Sequence, residues 1–99
     1  KRIMADRADA FVALPGGLGT LDEIIEILVL KQLWYHHKAC VFLNTNGIYD
    51  SLFRFLDDLT RDGFSPASHR SFYHVCSTPA EVMSYLEAFE PEPAHEKWF

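Results

Sequence analysis

Nine consecutive residues, Pro15-Gly16-Gly17-Leu18-Gly19-Thr20-Leu21-Asp22-Glu23, hold the residue types from which an anion site and a carboxylate could be built. Three glycines let a backbone approach a ligand closely. If the stretch turns from a strand into a helix, the first amides of that helix point outward. The positive end of the helix dipole then adds to them, and a phosphate can be held without a lysine or arginine. The stretch is not a P-loop, because no Gly-Lys-Ser/Thr follows, and it lacks the Gly-x-Gly-x-x-Gly spacing of dinucleotide sites. A plainer reading competes. Thr20-Leu21-Asp22-Glu23 also spells a capping box, in which Thr20 and Glu23 satisfy each other's end of a helix. Acidic residues in a first turn gain roughly 0.3–1 kcal/mol each from the dipole. On residue types alone, capping is the default role for Glu23. The two roles are compatible if substrate redirects the side chain.

The remaining chemically active side chains give weaker signals. His36 and His37 are adjacent, and His69, His74 and His95 are scattered, with no zinc spacing and no supporting cluster. Surface or interface histidines are the expectation, with no metal and no cofactor. Lys31, alone on an apolar stretch, could suggest Schiff-base chemistry, but a lysine whose stem lies along apolar surface explains it. Trp34 and Tyr35 read as interface aromatics, and Asp9 as a partner of backbone amides near a strand start. Cys40 and Cys76 lie in apolar runs and read as buried thiols in a reducing compartment.

Alternating strands and helices must position these groups. Lys1 to Asp9 reads as the last turns of a helix with no N-cap before it, which suggests a preceding half of the fold. Ala10 to Leu14 is wholly apolar, as in a strand buried on both faces of a parallel sheet. A helix is expected from about Leu21 to Leu33, apolar nearly all round, so that one sheet cannot cover it and a subunit interface is implied. Ala39 to Leu43 reads as a second buried strand, ended by the Asn46-Gly47 turn signal. Ile48 to Asp62 reads as an amphipathic helix with Ile48, Leu52, Phe55, Leu56 and Leu59 inward. Gly63 is placed as its left-handed cap, with Phe64 packing back. Ser71 to Cys76 is the third strand. Thr78-Pro79-Ala80-Glu81 then caps a helix whose inner face is Val82, Met83, Leu86 and Phe89. Residues 1–89 form one unit, with 90–99 as a loose tail whose Trp98 and Phe99 could dock on a partner. The fold class is α/β: a Rossmann-like parallel sheet with flanking helices, in its C-terminal half.

Composition bounds the rest. A chain of 99 residues hides only somewhat more than about 60% of its unfolded surface. Yet 48% of its residues are hydrophobic and 14% aromatic, so apolar surface is left for a partner. The net charge of −5 and the lack of a basic stripe argue against nucleic acid or an anionic membrane as partner. With no signal peptide and no long apolar run, a soluble, cytoplasmic protein is expected.

Met4, Asp9 to Leu14 and Pro15-Gly16-Gly17-x-Gly19-Thr20-x-x-Glu23 closely resemble the signature of the Lonely Guy family, some members of which carry an older label as possible lysine decarboxylases. The likeness continues through Lys31-Gln32-Leu33, Ala39 to Asn44, Asn46-Gly47, Asp62-Gly63-Phe64 and Ser77-Thr78-Pro79. It implies a phosphoribohydrolase that converts a nucleoside 5′-monophosphate, such as a cytokinin riboside monophosphate or AMP, to free base and ribose 5-phosphate. It also implies that Gly16, Gly17, Gly19 and Thr20 hold the 5′-phosphate and that Glu23 is the catalytic carboxylate. Breaking the bond builds positive charge on the ribosyl ring, which a carboxylate can stabilise while it orients water. Lys1 matches the lysine of an Arg-Lys pair in the family pattern, counted with the substrate-binding residues. The arginine of that pair, the glutamate's catalytic partner, would fall one residue before Lys1. A homodimer packed through the Leu21 to Trp34 helix is the expected assembly. The alternative is a nucleotide-binding or carrier module of the same fold without catalysis.

Overall fold

The computed structural model describes residues 9–90. Three parallel strands, β1 (Ala10–Ala13), β2 (Ala39–Leu43) and β3 (His74–Cys76), form one sheet in sequence order with β2 in the middle. Ala10 pairs with Ala39 and Ala13 with Phe42, while Val41 pairs with His74 and Leu43 with Cys76. Three helices alternate with the strands: α1 (Leu18–Gln32), α2 (Asp50–Arg61) and α3 (Pro79–Ala88). This is the α/β, Rossmann-like arrangement that the sequence implies. The expected helix over Lys1 to Asp9 falls, except for Asp9, outside the described residues, as does the tail after Glu90.

The five apolar residues of β2 do not alternate with polar ones because both of its faces are covered. Cys40 and Phe42 face α1 and α2, where Ile24, Ile27, Leu28, Leu52 and Phe53 pack. Val41 and Leu43 face the other way, against Cys76, Val82, Tyr85 and Leu86. Phe42 organises the first layer, edge-on to Tyr49 at 5.1 Å, Phe53 at 5.2 Å and Tyr73 at 5.6 Å. Truncating such a fully buried phenylalanine costs about 3–5 kcal/mol. β1 differs from its expectation. Ala13 is buried but Val12 is exposed, because α3 packs on β2 and β3 and no described residue covers this end of that face.

Several boundaries and faces move from their expected places, each for a packing reason. Asn46 and Gly47 are both left-handed (φ 54° and 69°) in a short 3₁₀ turn, so α2 begins only at Asp50 and Ile48 precedes it, exposed. The ring cluster around Phe42 then sets the rotation of α2. Leu52 and Phe53 turn inward, and Phe55 turns out to solvent. Gly63 (φ 87°) ends α2 as expected, with the Phe64 amide donating to the Leu59 carbonyl at 2.8 Å. The Phe64 ring itself is largely exposed. β3 is only three residues long because Ala67–Phe72 forms a 3₁₀ helix that buries Phe72. α3 has the expected cap: the Thr78 hydroxyl accepts from the Glu81 amide at 3.2 Å. The Glu81 carboxylate accepts from the Ser77 amide at 3.2 Å, one residue earlier than a standard box. Met83, expected inside, is exposed, and Tyr85 takes its place beside Leu86.

Candidate active site

The glycine stretch follows β1 at the carboxyl end of the sheet, where open α/β sheets bind ligands. α1 starts at Leu18, three residues before the expected position, with Gly17 as its N-cap. The Leu21 amide makes the first backbone bond, to the Gly17 carbonyl at 3.1 Å, and no side chain caps the helix. Thr20 is therefore inside the first turn and is not the cap. The capping box expected of Thr20 and Glu23 does not form. The first turn carries no acidic residue, because the early start carries Asp22 and Glu23 into the second turn. Amides of Leu18, Gly19 and Thr20 lie at the positive end of a 15-residue helix, worth roughly half an elementary charge. Leu18 is 85% exposed, so this end is open.

The glycines divide by function. A Cβ on Gly16 would collide with Thr20 Oγ1 and meet Thr20 Cβ at 3.0 Å, so the present placement of the threonine side chain depends on glycine here. Gly17 and Gly19 have nothing within 4 Å of where a Cβ would stand. Internal packing does not demand glycine at either position, whereas a ligand brought up to the backbone would. Thr20 and Glu23 are three apart on α1 and so share a face, roughly 5–6 Å between Cβ atoms. Together with Phe11, Val12, Ala13 and Ile24 they line a hollow of about 280 Å³ between β1 and α1. Glu23 is exposed to it from the helix side. The structure thus brings Gly16, Gly17, Gly19, Thr20 and Glu23 together at one end of the sheet. Lys1 lies outside the described residues.

Two residues that sequence reasoning passed over hold the loop. Tyr49, 4% exposed, donates its hydroxyl hydrogen to the Leu14 carbonyl just before Pro15. Its own amide donates to Asn44 Oδ1 at 2.7 Å, and Asn44 is anchored at the end of β2 by its amide bond to the Cys76 carbonyl at 2.7 Å. The sequence offered the signal of a tyrosine and an asparagine on either side of the Asn46-Gly47 turn.

Other candidates prove structural. Lys31 is 4% exposed and does not snorkel. Its ammonium donates to the carbonyls of Lys38 at 2.9 Å and Phe72 at 3.0 Å, ties α1 to two following segments, and lies 5.7 Å from the centre of the Phe89 ring. An ammonium held in this way is not a Schiff-base nucleophile. His36 is buried, against the expectation of a surface histidine. Its Nδ1 accepts from the Lys38 amide at 3.1 Å, which assigns the hydrogen to Nε2, 2.9 Å from the Ile27 carbonyl. Desolvation by burial lowers its pKa, with nearby Lys31 and Lys38 acting in the same direction. Cys40 and Cys76 are buried free thiols, and burial pushes Cys40 up to about 11. Trp34 ends α1 in a left-handed conformation (φ 67°), a place usually given to glycine. No three His, Cys, Asp or Glu among the described residues could share a metal ion, and no described helix is long and apolar enough to cross a membrane.

The fold and the loop define an α/β protein with a parallel sheet and an open, glycine-rich helix start at the carboxyl end of its first strand, with a carboxylate one turn along. The family described as possible lysine decarboxylase matches residues 1–86, and the chain belongs to that family, which includes the Lonely Guy proteins. The chain is similar to a rice (Oryza sativa subsp. japonica) protein named probable cytokinin riboside 5′-monophosphate phosphoribohydrolase LOGL9, at 44% identity over 92% of this chain and 40% of that one. It is also similar to the Arabidopsis thaliana cytokinin riboside 5′-monophosphate phosphoribohydrolases LOG7 (41% identity, 93% of this chain, 42% of that one) and LOG3 (39%, 98% and 44%). The chain spans about two fifths of the length of these relatives.

Proposed function

We propose that the protein containing this chain is a phosphoribohydrolase that hydrolyses the N-glycosidic bond of a nucleoside 5′-monophosphate, releasing free base and ribose 5-phosphate. The observation that carries this reading is the uncapped start of α1 with Glu23 one turn further along the same helix. A 5′-phosphate seated on the amides of Leu18, Gly19 and Thr20 leaves the ribose to extend over Thr20 toward Glu23. The carboxylate then faces the ring on which positive charge develops as the base departs. It stabilises that charge and orients the attacking water. Gly16 gives Thr20 the space to present its hydroxyl, Gly17 and Gly19 admit the phosphate to the backbone, and Lys1 contributes charge to the same substrate. The names of the relatives support a cytokinin riboside monophosphate as substrate, with AMP the simpler member of the same class.

We also infer a homodimer formed through the outer face of α1, where Leu18, Ile25 and Val29 are exposed along one side of the helix, with Trp34 exposed just past its end. Base release from AMP and from N6-isopentenyladenosine monophosphate by the full-length protein tests the activity. Release of adenine or its N6-substituted form supports the reading. Binding of either nucleotide without release replaces it with the non-catalytic carrier.

A further inference from the structure

We propose that Tyr49 is a positioning residue for the glycine loop, its hydroxyl presetting the amides at the start of α1 for a substrate phosphate. This rests on the reading of that loop as the phosphate site. Tyr49 does not line the hollow of Thr20 and Glu23, although it shares a buried cluster with Ala13 and Ile24, which do; its hydroxyl reaches the loop through the Leu14 carbonyl. Its ring is fixed independently of the hydroxyl, buried edge-on to Phe42 at 5.1 Å and lying 6.3 Å from Phe53.

The hydroxyl ends a chain of hydrogen bonds that begins at the far strand. The Cys76 carbonyl accepts from the Asn44 amide, Asn44 Oδ1 accepts from the Tyr49 amide, and Asn44 Nδ2 donates to Asp50 Oδ1 at 2.8 Å. Gly47 makes this tight. It is left-handed (φ 69°), and a Cβ there would meet Asp50 Oδ2 at 2.5 Å. The carboxyl ends of β2 and β3 are thus coupled to the residue that precedes Pro15. A glycine-rich loop has much conformational freedom to lose when it closes on a ligand. Fixing the Leu14 carbonyl removes part of that cost before the phosphate arrives, so its benefit falls on substrate binding and not on bond cleavage.

The test is Tyr49→Phe in the full-length protein, which keeps the ring and deletes one oxygen. Steady-state kinetics with AMP, calorimetric binding of ribose 5-phosphate, and thermal unfolding are measured beside the wild type. For one lost hydrogen bond to a loop carbonyl, KM for AMP and Kd for ribose 5-phosphate both rise about tenfold, with kcat held within about twofold. Unchanged KM and Kd overturn the proposal, whatever happens to the melting temperature, because the hydroxyl would then serve the fold alone. A wild type that binds ribose 5-phosphate but releases no base defeats the enzymatic reading. Weakened binding in the variant then still supports the brace. A wild type that binds no ribose 5-phosphate removes the phosphate site and the proposal with it.

Discussion

Gly19→Ala separates stability from binding at the loop, because the structure assigns opposite signs to the two. Gly19 is the second residue of α1, has no left-handed φ, and has open space within 4 Å of a Cβ. An alanine fits there without strain. It removes the entropic disadvantage of glycine in a helix, which is about 0.8–1.0 kcal/mol in an interior and less in a first turn. A gain of about 0.5 kcal/mol is expected, raising the melting temperature by about 1–2 °C for a protein of roughly 150–250 residues. The same methyl group stands where a phosphate must approach the amides. Loss of one charge-assisted bond to that phosphate costs about 1.5–3 kcal/mol, so KM for the nucleoside monophosphate rises roughly ten- to hundredfold. The assay is base release at varied AMP together with thermal unfolding of the free protein. A variant that binds and turns over like the wild type would refute the assignment of Gly19 to ligand approach. A clear fall in melting temperature would refute the reading of the free space around it.

Other outcomes follow from the same geometry. Glu23→Gln in the full-length protein lowers kcat for base release by at least about a hundredfold while nucleotide binding stays within a few-fold, as expected for a carboxylate in the chemical step; undiminished turnover would remove Glu23 from it. His36 is buried neutral with its pKa below the ordinary 6.5, so the unfolded chain binds the extra proton first as pH falls. The His36 contribution to stability is therefore fully present above about pH 6.5 and is lost as pH falls below it, which urea midpoints at pH 7.5 and 5.5 measure. His36→Gln flattens that decline, and an equal slope in the variant would assign the effect elsewhere. Charge on the outer face of α1, as in Ile25→Glu with Val29→Glu, converts a dimer to a monomer by light scattering. A wild type that is already monomeric at micromolar concentration contradicts the inferred interface.

The run Ala39 to Leu43 dictated a doubly covered strand by itself, because five apolar residues without alternation have no face to give to water. Gly63 and Thr78-Pro79 set the end of α2 and the start of α3 through local backbone chemistry that needs no tertiary partner. The nine residues from Pro15 to Glu23 likewise marked a glycine-rich turn from strand into helix. The start of α1 did not follow from them. Thr20 and Glu23 satisfy the capping pattern on paper, yet Gly17 takes the cap, and only the folded backbone shows the first turn without a side-chain partner. Which residues of α2 turn inward also waited on the fold. Phe53 and Phe55 are equally apolar, and the aromatic cluster around Phe42 chooses between them. The brace from Asn44 through Tyr49 to Leu14 lay furthest beyond the sequence. It joins groups 35 positions apart, a proximity that comes from stacking one parallel strand end against the next.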